Sequence, residues 1–401
     1  MKVLVLNCGS SSVKFRLFQT DKDELLAGGL IERIGSPNAG FVYRPVGKKE
    51  IKETKAIKDY EQAIDLIIKT LCHPEFGKLG DIQEIDALGH RVVHGGEEFT
   101  ESVLISEAVL QRIKECVRLA PLHNPPNIKG IQASLWLIPF AHQIAVFDTA
   151  FHETMKPPAY IYALPYEWYE KRRIRRYGFH GTSHRYVASG AAKILGKSLE
   201  DLKIVTCHLG NGVSITAVAG GKSMDTSMGF TPLEGMVMGT RCGDIDPAIP
   251  LHIMETDSLT PAQMDSLLNK KSGLLGITGG DNDMRTIEEK AAAGSERHGL
   301  ALRIFTQRVK KYIGAYAAVM GGLDAIVFTA GIGENSPTIR KMACEGLEFL
   351  GVDIDAAKNE KNQTNISRGR TPVLIVPTNE ELAIAQEVVS VLEIHNKRVE
   401  A

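Results

Sequence analysis

Residues Met1 to Gln19 read MKVLVLNCGSSSVKFRLFQ: an apolar strand, an Asn-Cys-Gly-Ser-Ser-Ser turn, and a second strand opening with Val13 and Lys14. The pattern returns at Lys203 to Val218, KIVTCHLGNGVSITAV, where the turn is His208-Leu209-Gly210-Asn211-Gly212. Each turn leads into a β-branched outgoing strand. A Gly/Asn/Ser turn between apolar strands is an ordinary hairpin when met once. Two in matching contexts point to a duplicated core. Glycine at a hairpin tip lets backbone N–H groups approach an anion, and hydroxyls with one lysine add donors and charge. The paired hairpins therefore read as phosphate-handling turns.

A chain of 401 residues with 43% hydrophobic content exceeds what one core usually serves, so two domains are expected. A formal net charge of -1 argues against a nucleic-acid-coating or membrane-coating protein, because binding a phosphate polymer needs a broad basic surface. The local run Lys171, Arg172, Arg173, Arg175, Arg176 lacks interleaved aromatics beyond Tyr177 and reads as a solvated face. Six cysteines are scattered without a CxxC pair, as small buried hydrophobes in a reducing compartment would be. No apolar stretch approaches a membrane-spanning length. A cytoplasmic protein is expected.

Strands and helices alternate along the chain, which favours an α/β architecture. Ile144 to Asp148 reads as a strand ending in a carboxylate. Ser106 to Leu119 reads as a helix with Ser106 as N-cap, and Glu296 to Met320 as a long helix stopped by Gly321-Gly322. Asp324 to Thr329 and Val373 to Val376 read as strands, and a terminal helix starts near Glu380.

Arg91, in His90 to Gly96, and Arg241, in Gly239 to Asp244, each lie near glycines, and a guanidinium fork suits phosphate and carboxylate alike. Asp148 at its strand end is placed to coordinate Mg²⁺, act as a base, or cap a turn. The pairs His180/His184 and His90/His94 have zinc-helix spacing but lack the glutamate of that motif, so a histidine donating to a phosphoryl oxygen is the better reading of His180. Gly220-Gly221-Lys222-Ser223 fails as a Walker loop because Thr216 stands where the first glycine belongs. Gly331 to Ser336 fails as a dinucleotide fingerprint and is read instead as a glycine turn able to approach a ribose or phosphate.

Asn7 to Lys14, His90 to Gly96, Phe147 to His152, Gly178 to His184, His208 to Gly212, Asp225 to Asp246, Ala330 to Asn335 and Pro377 to Leu382 together resemble the acetate kinase (acetokinase) family, in order along essentially the whole chain. The resemblance implies an α/β fold of two domains of duplicated actin-like (ribonuclease H-like) topology with a nucleotide cleft between them. Residues 1–150 would form the acyl-substrate side, joined by the terminal helix 380–401, and 151–379 the nucleotide-binding domain. It implies Mg²⁺-dependent, reversible, direct in-line transfer of the ATP γ-phosphoryl group to acetate, giving acetyl phosphate and ADP. Mn²⁺ would serve as a substitute, and the protein would be a homodimer without nucleic-acid or membrane partners. Propionate kinase and a catalytically silent nucleotide-binding module are the alternatives.

Matched motif by motif, the resemblance implies that Asn7 and Glu380 hold the metal and Lys14 lies near the phosphates. His208, Leu209, Gly210, Asn211 and Gly212 would meet the phosphates. Asp283, Met284 and Arg285, with Gly331, Ile332, Gly333, Glu334 and Asn335, would meet the adenosine. Arg91 and Arg241 would bind the carboxylate and the phosphoryl group in transit, with His180 stabilising the transition state and Asp148 orienting. Val93, Leu122, Phe179 and Pro232 would line the acyl pocket. A carboxylate acceptor carries no proton to remove, so the site mainly has to bring two anions together.

Overall fold

The computed structural model describes residues 1–400, with side chains through Lys397; Ala401, the last residue of the expected terminal helix, lies outside the described residues. The chain divides into two compact units, Met1–Ala150 with the segment from Asn379 onward, and Phe151–Thr378.

The first unit holds an eight-stranded sheet of β1 (Lys2–Cys8), β2 (Ser12–Gln19), β3 (Glu24–Glu32), β4 (Ala39–Pro45), β5 (Ile51–Lys55), β6 (Ala87–Val92), β7 (Val103–Leu104) and β8 (His142–Phe147), in the order β5-β4-β3-β2-β1-β6-β8-β7. The second holds β9 (Lys203–Leu209), β10 (Val213–Ala219), β11 (Lys222–Thr226), β12 (Ala325–Thr329) and β13 (Val373–Ile375), in the order β11-β10-β9-β12-β13. In each, a hairpin and a third antiparallel strand lie on one side of the leading strand, and two parallel strands on the other. The segment β3-β2-β1-β6-β8 and the whole of the second sheet thus share one topology. The duplication read from two hairpins extends to five strands per unit.

Why β1 reads as a continuous apolar run follows from its central place. Leu4 and Leu6 pack on one face with Phe15, Leu17 and the helix Tyr60–Leu71. Val3 and Val5 pack on the other with Ile384, Ala385, Val388 and Leu392 of the terminal helix Glu380–Glu400. A strand covered on both faces has no polar side to show. In the second unit Val187, Ala188, Ala191 and Ala192 of the helix Gly181–Leu195 cover Ile204, Val218, Val327 and Leu374.

The helix expected over Ser106–Leu119 spans Glu107–Glu115, with the Ser106 hydroxyl accepting from Val109 N, and then tightens into a 3₁₀ turn, Cys116–Arg118. Pro121 lies just downstream and disfavours helical geometry before it. The long helix runs Glu296–Val319, closed where Gly322 N donates to Ala317 O at 2.9 Å beside Gly321 at φ 64°. Among the described residues, no helix is long and apolar enough to cross a membrane.

Gly89 on β6 shows how tightly the terminal helix is seated: a Cβ there would stand 2.7 Å from Ile384 Cγ2 and 2.9 Å from Val388 Cγ2. Gly314, inside the long helix, would meet nothing within 4 Å. Gly89→Ala is expected to destabilise by about 1–3 kcal/mol through overpacking, whereas Gly314→Ala should stabilise by about 0.5–1 kcal/mol through helix propensity. Thermal midpoints of the two variants should move in opposite directions, and an unchanged midpoint for Gly89→Ala would refute this packing.

Candidate active site

In the first unit, three parallel strands deliver polar residues at their carboxyl ends. Leu6 pairs with His90, so Asn7 on β1 and Arg91 on β6 follow at matching heights. Asp148 follows β8 and donates its backbone N–H to Val92 O at 3.0 Å. Ligands of open α/β sheets bind outside such strand ends.

Asp148 is 2% exposed, and Arg91 grips it with two parallel hydrogen bonds: Nε to Oδ1 at 3.0 Å, and Nη2 to Oδ2. Burial works against the Arg91 charge, but the charges of Asp148 and Glu380, the hydrogen bond to Asp148 and the charge of Glu381 more than offset it, and the guanidinium is held firmly protonated. Asn127 ties the neighbouring backbone together, accepting from Val93 N at 3.1 Å and donating to Cys8 O at 2.7 Å. His90 is buried against Gln143 at 2.6 Å, and burial pushes its pKa down to about 4. It is therefore a neutral core residue on a strand, and no part of a helical metal pair.

The two adjacent glutamates of the terminal helix are distinct. Glu381, 7% exposed, forms an ion pair with Lys14, which stands across the ladder from Asn7, and lies 3.6 Å from Arg16 Nε. Burial alone would raise its pKa, but Lys14 and Arg16 hold it below the usual carboxylate range. Lys14 is thus committed to a protein carboxylate. Glu380 is half-buried, and its charge is felt by Arg91. An amide oxygen from Asn7 and a carboxylate from Glu380 are hard oxygen donors, which fits Mg²⁺ completed by water and phosphate. Asp148, occupied by Arg91 through both oxygens, fits that role poorly. Among the described residues there is no cluster of three or more His, Cys, Asp or Glu side chains built to hold a metal.

In the second unit His180 opens the helix Gly181–Leu195 in the left-handed region, at φ 57°. A non-glycine residue held there marks backbone strain that its surroundings must enforce. Its Nδ1 lies 2.8 Å from Ser214 Oγ, and its ring stacks on His208 with centroids 4.3 Å apart. Gly212 explains itself here. A Cβ at Gly212 would stand 3.2 Å from His180 Cε1, 3.3 Å from its Nε2 and 3.9 Å from Arg241 Nη1. His180, Gly212 and Arg241 therefore converge. Arg241 Nη1 donates to Pro232 O at 3.3 Å and approaches Met238 Sδ at 3.6 Å, and burial lowers its pKa. Gly273, at φ 63°, holds the Arg241 backbone, since a Cβ there would stand 2.6 Å from Arg241 O.

A cavity of about 450 Å³ in the second unit is lined by Gly210, Asn211, Asp283, Met284, Arg285, Gly331, Ile332 and Asn335, all expected for nucleotide. Gly239 and Ser336, at the edges of two of the motifs above, line it too, as do Asn282 and Glu288, which belong to no motif. Asp283 caps the helix Met284–Ala292, accepting from Arg285 N at 3.1 Å, while the Arg285 side chain is largely exposed. Glu288 accepts from Ser336 Oγ.

The stretch Ala330–Asn335 is not a glycine turn but a short helix entered through Ala330 at φ 63°. Its winding turns two expected residues elsewhere. Gly333 O accepts from the fully buried Arg340 at 2.8 Å, and Glu334 Oε1 accepts from Thr378 N at 3.1 Å, so neither lines the cavity. Leu209 is fully buried in β9, and His208 is bonded through Nδ1 to Ser183 Oγ at 2.8 Å. Of the expected acyl-pocket residues, Leu122 is 68% exposed and Val93 half-buried in the first unit, while Phe179 is buried and Pro232 half-buried in the second.

The acetokinase family profile matches residues 2–386 of the chain. An acetate kinase of Thermotoga petrophila is 56% identical over 400 residues, covering 98% of this chain and 99% of that one. The crystal structure of an acetate kinase from Porphyromonas gingivalis superposes with a TM-score of 0.94 at 45% identity, covering 98% of this chain and 99% of the other. A propionate kinase from Francisella tularensis superposes at 0.90 with 46% identity, covering 96% and 98%. With matches of this length on sequence and structure alike, the chain belongs to the acetokinase family.

Proposed function

We propose that this protein catalyses the reversible, Mg²⁺-dependent transfer of the ATP γ-phosphoryl group to acetate, producing acetyl phosphate and ADP by direct in-line displacement. The observation that carries this reading is the double hydrogen bond between Arg91 and buried Asp148. A hydroxyl acceptor needs a base to take its proton. The strand-end carboxylate best placed to be that base is instead a fixed counter-ion, which suits an acceptor that arrives as a carboxylate.

In this reading Arg91, its fork oriented by Asp148, receives the acetate carboxylate. Arg241 and His180, drawn together over Gly212, neutralise the equatorial oxygens as the phosphoryl group passes through a metaphosphate-like state. Asn7 and Glu380 would hold Mg²⁺, which when bound screens the charge of the nucleotide phosphates. The glycines of the β9–β10 turn lie against the phosphates, and the cavity of about 450 Å³ takes the adenosine. Val93, Leu122, Phe179 and Pro232 set acyl size. Because a single methylene is worth about 1–3 kcal/mol in an apolar pocket, propionate is a poorer second substrate, and the likeness to a propionate kinase supports that second acceptor.

The same reading carries a homodimer in the cytoplasm. Ile249 and Leu251, on a helix with no buried residue, and nearby Ile245 leave apolar surface exposed, and the six cysteines are all free thiols.

With hydroxylamine trapping of the acyl phosphate, ATP, Mg²⁺ and acetate should yield acetyl hydroxamate; none at all would favour a silent nucleotide-binding module. His180→Ala is expected to lower kcat on the order of 10²-fold with smaller changes in KM, as loss of one transition-state donor does. Val93→Ala should raise the kcat/KM of propionate relative to acetate. An unchanged ratio would contradict the pocket assignment.

A further inference from the structure

Behind His180 lies a chain of buried polar groups that the transfer reading leaves unused. Ser214 Oγ stands 2.8 Å from His180 Nδ1 and 2.7 Å from His184 Nε2, and His184 Nδ1 stands 2.7 Å from Thr206 Oγ1. Thr206 Oγ1 in turn donates to Thr216 O at 3.4 Å. Ser214, His184 and Thr206 are fully buried. Burial first, then the neighbouring His152 and His208, hold the His184 pKa well below its usual value, so that ring is neutral.

One proton per hydroxyl and one per neutral ring dictate the order of this chain. With the Thr206 proton directed to Thr216 O, the Thr206 oxygen accepts from His184 Nδ1–H. His184 Nε2 is then a bare acceptor, filled by the Ser214 hydroxyl proton. Ser214 Oγ is left to accept, and its donor is His180 Nδ1–H. The reverse order would put a Ser214 proton against His180 Nδ1, and it fails once His180 is cationic, because both ring nitrogens then carry protons. Only the first order serves both charge states without rotating a hydroxyl or switching the His184 tautomer.

Resting on the phosphoryl-transfer reading above, we propose that Ser214 and His184 are positioning residues that keep a proton on Nδ1 of His180, so that Nε2 offers a hydrogen bond to an anion only as imidazolium. When an anionic phosphoryl group arrives, Nε2 takes one proton from solvent. Nδ1–H stays on Ser214, and a full positive charge faces the anion beside Arg241 Nη1. Groups near the ring include His208, stacked against it, Arg241 near Gly212, and His184 through Ser214. Preorganised charge of this kind needs no rearrangement at the moment of transfer.

The test uses the full-length protein labelled with ¹⁵N-histidine and free of nucleotide, with the His180 signals identified by their loss in His180→Ala. Long-range ¹H–¹⁵N spectra at a pH where the ring is neutral should show the proton on Nδ1 and a bare Nε2. In Ser214→Ala that preference should disappear, and kcat should fall on the order of 10²-fold while KM for ATP and acetate stays within about threefold. Ser214→Thr, which keeps the hydroxyl and suits a strand, should restore both. A wild-type neutral ring protonated at Nε2 overturns the proposal, as does a Ser214→Ala variant with unchanged tautomer and kcat. The spectra need no turnover, so an inactive protein with Nδ1–H would sink the transfer reading and leave the Ser214–His184 control of the His180 tautomer standing.

Discussion

A carboxylate that is 2% exposed cannot stay ionised without a partner, and in this protein its partner is a guanidinium one strand away. The Arg91–Asp148 pair is the constraint from which the chemistry of the first unit follows. It fixes the plane of the Arg91 fork and joins the ends of β6 and β8. Glu380 and Glu381 reinforce the Arg91 charge from the terminal helix, and Lys14 with Arg16 balances Glu381 in turn. Arg241 is set differently. Among the described residues no carboxylate pairs with it, and its contacts are the Pro232 carbonyl and the Met238 sulfur. A half-buried guanidinium with only neutral acceptors gains most from an arriving anion.

One topology occurs twice, but its strand ends are loaded with different chemistry. The first sheet ends in Asn7, Arg91 and Asp148, a neutral amide beside an ion pair. The second ends in His208, Thr329 and Ile375, with glycine-rich backbone after β9 and β12, and His208 and the nearby His184 bond to buried hydroxyls. Each sheet is covered by a helix that follows the other unit's last strand in sequence: Gly181–Leu195 after β8, and the terminal helix after β13. Both helices begin at residues to which the proposed function gives a role, His180 at the start of one and Glu380 at the start of the other.

Much of this was legible before any coordinates. The two hairpins announced the duplication because a glycine turn between apolar strands is a local signal, and Arg91 and Arg241 stood out by their glycine neighbours. Ala330–Asn335 misled, since three closely spaced small residues suggest a turn, while the stretch is a short helix whose Gly333 carbonyl accepts from Arg340. Glu380 and Glu381 were indistinguishable in sequence because what separates them, the Lys14 ammonium, lies more than three hundred residues earlier in the chain. Ser214 and Glu288 carried no motif. Their meaning comes from partners on other elements, His180 and His184 for one and Ser336 for the other. Tertiary contacts of that kind leave no local pattern to read.

The central claim is that Asp148 acts through Arg91 and not on its own. A double-mutant cycle with Arg91→Ala, Asp148→Ala and the double variant, scored by kcat/KM for acetate, tests it most directly. The account predicts strong non-additivity, with the double variant no more impaired than Arg91→Ala alone. Losses that multiply would show Asp148 working independently, as base or metal ligand, and would contradict the account.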